Sequence, residues 1–372
     1  MIDELQEILS RYGLNADEYI GSRIITNGHI NHTYALYFDL GNRVKRYLLQ
    51  EINTYVFRNP DELMENIQRV SDYCHGVLKK AKIPNYHNLS LRLCHATDGS
   101  SYIRTASGKC FRIYHYIEGG VSFTSADDPK LFYSSGQAIG FFQNMLADFP
   151  INTLHETIPY FHNTPKRYEA FAEILKDAPQ DKIDVSKDEI DFIVKHKGIA
   201  YSIQPLIDNG TLPLRVVHND GKISNIMFDY NTHSPLCMID LDTVMPGSSV
   251  VDYGDFVRGS CNLGAEDSKN PDDVKLSVEH LEDFTKGYLT SVSSSITQSE
   301  VDHLIDGAIL MCYELGMRFL HDYLSGDHYF QAKYPGHNLV RARAQLRLCQ
   351  EILNRKEMLE AKVQEIYKTV KR

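Results

Sequence analysis

The chain opens with apolar residues at helical spacing, Ile2, Leu5, Ile8 and Leu9, and Gly13 is a fitting stop for that helix. The period then changes. Over residues 22–56, short β-branched and aromatic runs alternate around Gly28 and Gly41-Asn42, which predicts antiparallel strands joined by tight turns. Asn59-Pro60 supplies an N-cap and a proline at the first helical position, and Leu63, Ile67, Val70, Cys74 and Val77 then fall on one helix face. More strands are expected over residues 89–117, with turns at Asp98-Gly99 and Ser107-Gly108. Beyond Ser125 the pattern becomes helical over 131–147, 190–206, 301–324 and 340–368, with Ser299 offered as an N-cap. Within this helical part lie three apolar runs of strand length, 214–217, 226–228 and 236–239. The pattern is that of an α+β protein with no internal repeat or low-complexity tract.

Polar residues fall at the ends of those three runs. Asp220 is followed five positions later by Asn225, and Asp240 begins the loop after the next strand. Taken singly, an H-x-D or D-x-D reads as a turn, an N-cap or a solvated loop. The ordered set reads as phosphotransfer, because it follows the protein-kinase order of a base, a metal-binding asparagine and a metal-binding aspartate. In such a reaction, charge spreads over the phosphoryl oxygens and the protein mostly positions groups. A carboxylate such as Asp220 orients an acceptor hydroxyl, and Asn225 and Asp240 give the hard oxygen ligands that suit Mg²⁺.

The segments HNDGKISN (218–225) and IDLDTVMPG (239–247) resemble those of the aminoglycoside phosphotransferase and choline kinase superfamily, and more closely the N-acetylhexosamine 1-kinases. The resemblance continues in GHINHTY, LLQEINTYVF, PYFHNTPKR around His162 and ELGMRFLHDYLSGDHYF from Glu314. It implies a two-lobed protein-kinase-like fold, with a small antiparallel-sheet lobe over residues 1–117 and a larger, mostly helical lobe over 118–372. It also implies ATP and Mg²⁺ as co-substrate and metal, and an amino sugar, GlcNAc or GalNAc, phosphorylated at its anomeric hydroxyl. Asp220 would be the base, with Asn225 and Asp240 as metal ligands. Gly28, Asn31, Tyr116 and Ile117 would hold the nucleotide, and His29, Asp220, Thr243, Arg318 and Tyr329 the acceptor. The turn at Gly28 has one glycine only, so it fails as a glycine-rich loop signal, and a plain hairpin turn reads equally well. Where kinases carry a phosphate-binding lysine, this chain has Gln50-Glu51, against L-Q-R in the kinases it resembles. Lys45 and Arg46 are the nearby substitutes, and Glu65 is either the partner glutamate of the following helix or part of a solvated face.

Composition narrows the partners. A net charge of −10 over 372 residues, without a basic stripe, argues against nucleic acid. No apolar run approaches the roughly 20 residues of a membrane span, and the acidic, amphipathic start is no signal peptide. Seven scattered cysteines without C-x-x-C spacing suit a reducing cytoplasm, and no obligate protein partner is evident. Three readings stand at this point. One is a hexosamine kinase, with choline, aminoglycoside or other sugar kinases as variants. Another is a metal-dependent hydrolase using His218, Asp220, Asp240, Asp242 and Asp252. The third is a non-catalytic pseudokinase, which only Gln50-Glu51 favours.

Overall fold

A computed structural model describes residues 4–26, 31–125 and 128–371. Its contacts divide the chain into two compact units that are not consecutive stretches. The first comprises Met1–Thr124, Asp148–Ile158 and Ile226–Met245, the second Ser125–Ala147, Pro159–Asn225 and Pro246–Arg372.

The first unit is built on an antiparallel sheet. Strands β1 (Tyr19–Ile25), β2 (His32–Asp39), β3 (Val44–Ile52), β4 (Leu93–Cys94), β5 (Ile103–Arg104) and β6 (Cys110–His115) take the order β1-β2-β3-β6-β4, and β5 also pairs with β6. Alternation sends Leu36, Phe38, Leu49, Phe111 and Ile113 into one core, closed by Ile8 and Leu9 from the helix Leu5–Arg11 and by Tyr12 just after it. The register sets Thr33, Gln50 and Arg112 side by side on three adjacent strands. The expected turns at Gly99 and Gly108 have φ of +87° and +88°, which only glycine adopts without strain. Asn59 caps the helix Pro60–Lys80 as its sequence predicts, accepting from the Glu62 amide at 3.4 Å. Buried Asn66 on that helix donates to the carbonyls of His155 and Val244, at 2.8 and 3.1 Å, and so fixes the turn after Asp240. A smaller antiparallel sheet joins β7 (Gly120–Val121), β9 (Ile226–Asp229) and β10 (Pro235–Met238).

The second unit is mainly helical and carries β8 (Arg215–Val217). Its helices cross at glycines. A Cβ on Gly136 would lie 2.1 Å from the Phe284 carbonyl oxygen, and one on Gly287 would lie 2.0 Å from that of Tyr133. The helices Pro129–Met145 and Val278–Val292 therefore touch backbone to backbone. The helix Ser249–Ser260 meets Leu304–Ser325 in the same way at Gly254 and Gly307.

Three expectations need correction. The stretch 190–206 is not one helix but three short pieces, Lys187–Lys195, Lys197–Tyr201 and Gln204–Asp208. The stretch 340–368 breaks at Arg355, whose φ and ψ of −117° and 8° leave the helical region between His337–Asn354 and Lys356–Val370. The cap before residue 301 is Thr297 rather than Ser299: Thr297 and Glu300 form a reciprocal capping box.

Gly287→Ala tests the close crossing. Alanine is favoured over glycine in a helix by about 1 kcal/mol, but here its methyl meets backbone, which cannot swing aside. A net loss of roughly 1–3 kcal/mol is expected, in the range of overpacked cores. Thermal unfolding measures it, and a midpoint equal to or above the parent's would show that the helices part without cost.

Candidate active site

Strand β8 runs straight into His218-Asn219-Asp220, and the loop after it needs support because Asn219 sits at φ +62°. That support is the helix Ser249–Ser260, which presents Asp252 and Asp255 on one face. Fully buried Asp252 accepts from the backbone amides of His218 and Asn219 at 2.8 and 2.7 Å, and from Gln143 at 3.2 Å. Asp255 accepts from the Gly221 amide at 3.0 Å and is clamped from behind by both Nε and Nη2 of Arg258. A Cβ on Gly221 would approach the Asp252 carbonyl oxygen to 3.0 Å, so the residue after Asp220 is the smallest one.

Asp220 itself is partly open, with 29% of its side chain exposed. Its Oδ2 receives both the Lys222 ammonium and the Asn225 amide, each at 2.7 Å, which leaves Oδ1 for an external hydroxyl. Burial alone would raise this carboxyl, but Lys222, His218 and Asn225 together hold it below the ordinary carboxylate range. Asn225 spends its amide hydrogens on Asp220, on Oδ2 and on the backbone carbonyl at 2.9 Å, so its own Oδ1 remains as a donor oxygen.

Within the same unit, His162 links this loop to the helix Leu304–Ser325. Its Nε2 lies 3.4 Å from the Asn219 carbonyl, and its Nδ1 lies 2.8 Å from the fully buried Glu314. Glu314 also accepts from the Thr164 hydroxyl at 2.6 Å and stands 3.7 Å from Arg318. Burial would push the Glu314 carboxyl up, yet His162, Arg318 and Thr164 keep it low and ionised. The Arg318 guanidinium lies 5.3, 5.8 and 5.5 Å from the ring centres of Phe161, Tyr329 and Phe330. Arg167 adds a second positive charge there: its burial, then its closeness to Arg318, push it below the usual arginine value.

In the first unit, β10 leads to Asp240 at φ +62° and then to the turn Leu241–Thr243. Asp242 in that turn is buried against Arg112, their nearest atoms 2.6 Å apart, and accepts from Asn31 Nδ2 at 2.6 Å. Arg112, without exposed surface, donates from Nε to Gln50 at 3.0 Å, and Gln50 in turn donates to Thr33 at 3.1 Å. Burial would strip the proton from Arg112, but Asp242, Tyr114 and Asp240 keep the guanidinium charged, above its ordinary value. Where a lysine was missing, the sheet therefore carries a glutamine that orients a buried arginine. Glu51 pairs instead with Lys109 at 3.3 Å. Lys45 sits over Tyr47, Arg46 pairs with Glu118 and covers Tyr116, and Glu65 pairs with His155 and Arg69 on an exposed face.

Comparison with known proteins narrows the readings to a phosphotransferase family. Residues 23–276 match the model of the phosphotransferase enzyme family. The chain belongs to that family. The same fold recurs in an ethanolamine kinase of Plasmodium vivax, with 18% identity over 92% of this chain and 87% of that one and a TM-score of 0.57. It recurs in a choline kinase of Cryptosporidium parvum, with 13% identity over 100% of both chains and a TM-score of 0.58. A spectinomycin phosphotransferase solved with ADP and spectinomycin shares it too, with 15% identity over 99% of this chain and 97% of that one and a TM-score of 0.51. The kinase-like fold, an antiparallel-sheet part and a helical part, is that of a phosphotransferase.

In this phosphotransferase the expected residues fall into groups. Asp220 and Asn225 meet directly, and Arg318 and Tyr329 meet through ring and guanidinium; both groups belong to the second unit. Asn31, Asp240, Thr243, Tyr116 and Ile117 belong to the first, where Asn31 and the turn holding Thr243 join through Asp242, and Ile117 accepts from the Gly120 amide. Gly28 and His29 lie outside the described residues. Lys222, His162 and Arg112 were missed as contributors. A lysine two residues past an aspartate was the only available signal for the first, and strand register alone reveals Arg112.

The carboxylates that a metal-dependent hydrolase would require are otherwise engaged: Asp252 on backbone amides, Asp242 on Arg112 and Asn31. Among the described residues, no group of three or more His, Cys, Asp or Glu side chains forms a metal-holding cluster. Asn225, in the second unit, offers a hard amide oxygen of the kind that suits Mg²⁺, an ion that keeps water and phosphate oxygens among its ligands.

Arg112→Met strands Asp242 as a buried, uncompensated charge, and a loss of about 3–5 kcal/mol in chemical denaturation is expected. Adding Asp242→Leu should recover most of it. A double variant as unstable as the single one would show that the pair is not the source of the loss.

Proposed function

We propose that this phosphotransferase carries the γ-phosphoryl group of ATP to the anomeric hydroxyl of an N-acetylhexosamine, GlcNAc or GalNAc, giving the 1-phosphate and ADP. What supports this acceptor over a cationic one is the charge around Arg318. Two guanidinium groups, Arg167 and Arg318, lie beside the aromatic rings, while the carboxylates on the same helix are saturated by protein donors: Glu314 by His162 and Thr164, Asp322 by backbone amides. Choline or an aminoglycoside would meet repulsion there. A neutral sugar offers hydroxyl and acetamide oxygens to arginine donors and a face to Tyr329.

In this reading Asp220 Oδ1 accepts a hydrogen bond from the anomeric hydroxyl, aims its oxygen at the γ-phosphorus and takes the proton as the new P–O bond forms and the bond to the β-phosphate breaks. Lys222 and Asn225 hold the carboxylate in place. Asn225 and Asp240 would hold Mg²⁺, which when bound neutralises charge on the phosphate oxygens. In the same reading Gly28, Asn31, Tyr116 and Ile117 are assigned to the nucleotide, and His29, Thr243, Arg318 and Tyr329 to the sugar. The seven unpaired thiols agree with a cytoplasmic setting.

Asp220→Asn is expected to leave the fold and ATP binding intact and to lower turnover by roughly 10²- to 10⁴-fold, the range of general-base loss. Turnover within a few-fold of the parent would remove Asp220 from the base role.

The acceptor is tested with ATP, Mg²⁺ and a panel of GlcNAc, GalNAc, glucose, galactose, choline and an aminoglycoside, the product read by phosphorus NMR. An anomeric phosphate on GlcNAc or GalNAc is expected. Phosphate at the 6-position, or turnover of choline alone, would overturn the acceptor and leave the phosphotransferase standing.

A further inference from the structure

The helix Leu304–Ser325 ends at Gly326, φ +108°, and the next residue, Asp327, is also left-handed at φ +59°. Two such residues in succession fold the chain back, and the returning segment is caught by one side chain. Asp322, only 4% exposed, accepts at Oδ1 from the amides of His328 and Tyr329, at 3.0 and 2.8 Å. At Oδ2 it accepts from the Phe330 amide at 2.8 Å and from Asn338 Nδ2 at 3.1 Å. Three consecutive backbone amides thus converge on a single carboxylate, with a fourth donor from a fully buried asparagine.

This clamp has a product. Phe330 is turned inward against Phe319, ring centres 4.5 Å apart, whereas Tyr329 stays 61% exposed while its backbone is pinned. An exposed tyrosine on a pinned backbone differs from one on a free loop: the backbone share of its ordering entropy has been spent in advance, so a partner docks on it at smaller cost. Along the helix, Glu314, Arg318 and Asp322 follow at four-residue spacing and share a face. Glu314 fixes the segment bearing Phe161 through His162 and Thr164, and Asp322 fixes the segment bearing Tyr329, with Arg318 between them.

We propose that Asp322 is a specificity-determining positioning residue: by gathering the amides of residues 328–330 it holds Tyr329 at a set distance from Arg318, so that ring and guanidinium clasp the acceptor together. This rests on the reading that Arg318 and Tyr329 meet the acceptor, and it adds what sets their spacing. Asp322→Asn replaces one accepting oxygen with an NH₂ group that faces donors. The clamp opens, and Tyr329 swings without Arg318 being touched.

With the full chain, the Michaelis constants of parent and Asp322→Asn are compared for GlcNAc and for ATP, together with the preference for GlcNAc over glucose. The constant for GlcNAc should rise about tenfold, that for ATP should stay within about twofold, and the preference should shrink, as expected when a polar match worth roughly 1–2 kcal/mol is misaligned. Equal shifts in both constants, or an unchanged preference, would overturn the proposal. Should Asp322→Asn fail to fold, Tyr329→Ala, at an exposed position, must show the same split, and an unchanged preference there overturns it equally. A second measurement stands apart from the sugar. The chain has no tryptophan, so Tyr329→Trp places a single fluorophore in the clamp, and its anisotropy without acceptor should fall when Asp322→Asn is added. No fall would refute the clamp, whereas a fall in an enzyme that ignores GlcNAc would refute the acceptor alone.

Discussion

The residues around Asp220 depend on one buried carboxylate. Asp252 takes the amides of His218 and Asn219, and without it a loop bent through a left-handed asparagine would leave two donors unpaired in the interior, at about 1–3 kcal/mol each. Its position is set in turn by glycine. Gly254 and Gly307 let the helix bearing Asp252 and Asp255 touch the backbone of the helix bearing Glu314, Arg318 and Asp322, where a Cβ would come within 2.3 Å of a carbonyl oxygen. The loop around Asp220 and the helix bearing Arg318 are thereby packed as one piece, and His162 adds a second strap from Asn219 to Glu314. A side chain at that crossing would move both at once.

Several carboxylates in this protein anchor backbone instead of standing as surface charge. Asp252, Asp255 and Asp322 each gather main-chain amides, and Asp242 neutralises Arg112. A chain with a net charge of −10 thereby keeps part of its acid in the interior, satisfied by internal donors. A formal count overstates the negative field near Asp220, because Asp252 and Asp255 are consumed by internal donors and Lys222 pairs with Asp220 itself. Net charge speaks to encounter and solubility; the sign at a site is decided by which charges are already spent.

Much of this was legible beforehand, for physical reasons that can be named. The three strands flanking Asp220 and Asp240 announced themselves by apolar runs too short for helices, and Asn59-Pro60 marked its helix start because capping is a local interaction. Breaks within helices were not legible. Ile352, Leu359, Val363 and Tyr367 continue an apolar stripe across Arg355, so periodicity reads through a one-residue interruption whose cause is tertiary. Ser299 and Thr297 are both good capping residues, and only the reciprocal bond with Glu300 selects Thr297. Arg112 was invisible because its partners Gln50 and Asp242 lie 62 and 130 positions away, the first brought to it by strand pairing and the second by the turn after β10.

That last network also bears on the pseudokinase reading, which drew its support from Gln50-Glu51. A missing lysine argues for lost activity only if its place is left empty. Here the place is filled by a hydrogen-bonded row in which Gln50 holds Arg112 and Arg112 holds Asp242, two residues beyond Asp240. A buried ion pair of this kind is poor value as stabilisation, since desolvating both charges cancels most of the attraction, but it fixes geometry tightly. What it fixes is the turn carrying Asp240 and Thr243, and with it Asn31 just before β2. The place of the lysine is therefore not empty, and Gln50-Glu51 by itself gives the pseudokinase reading no support.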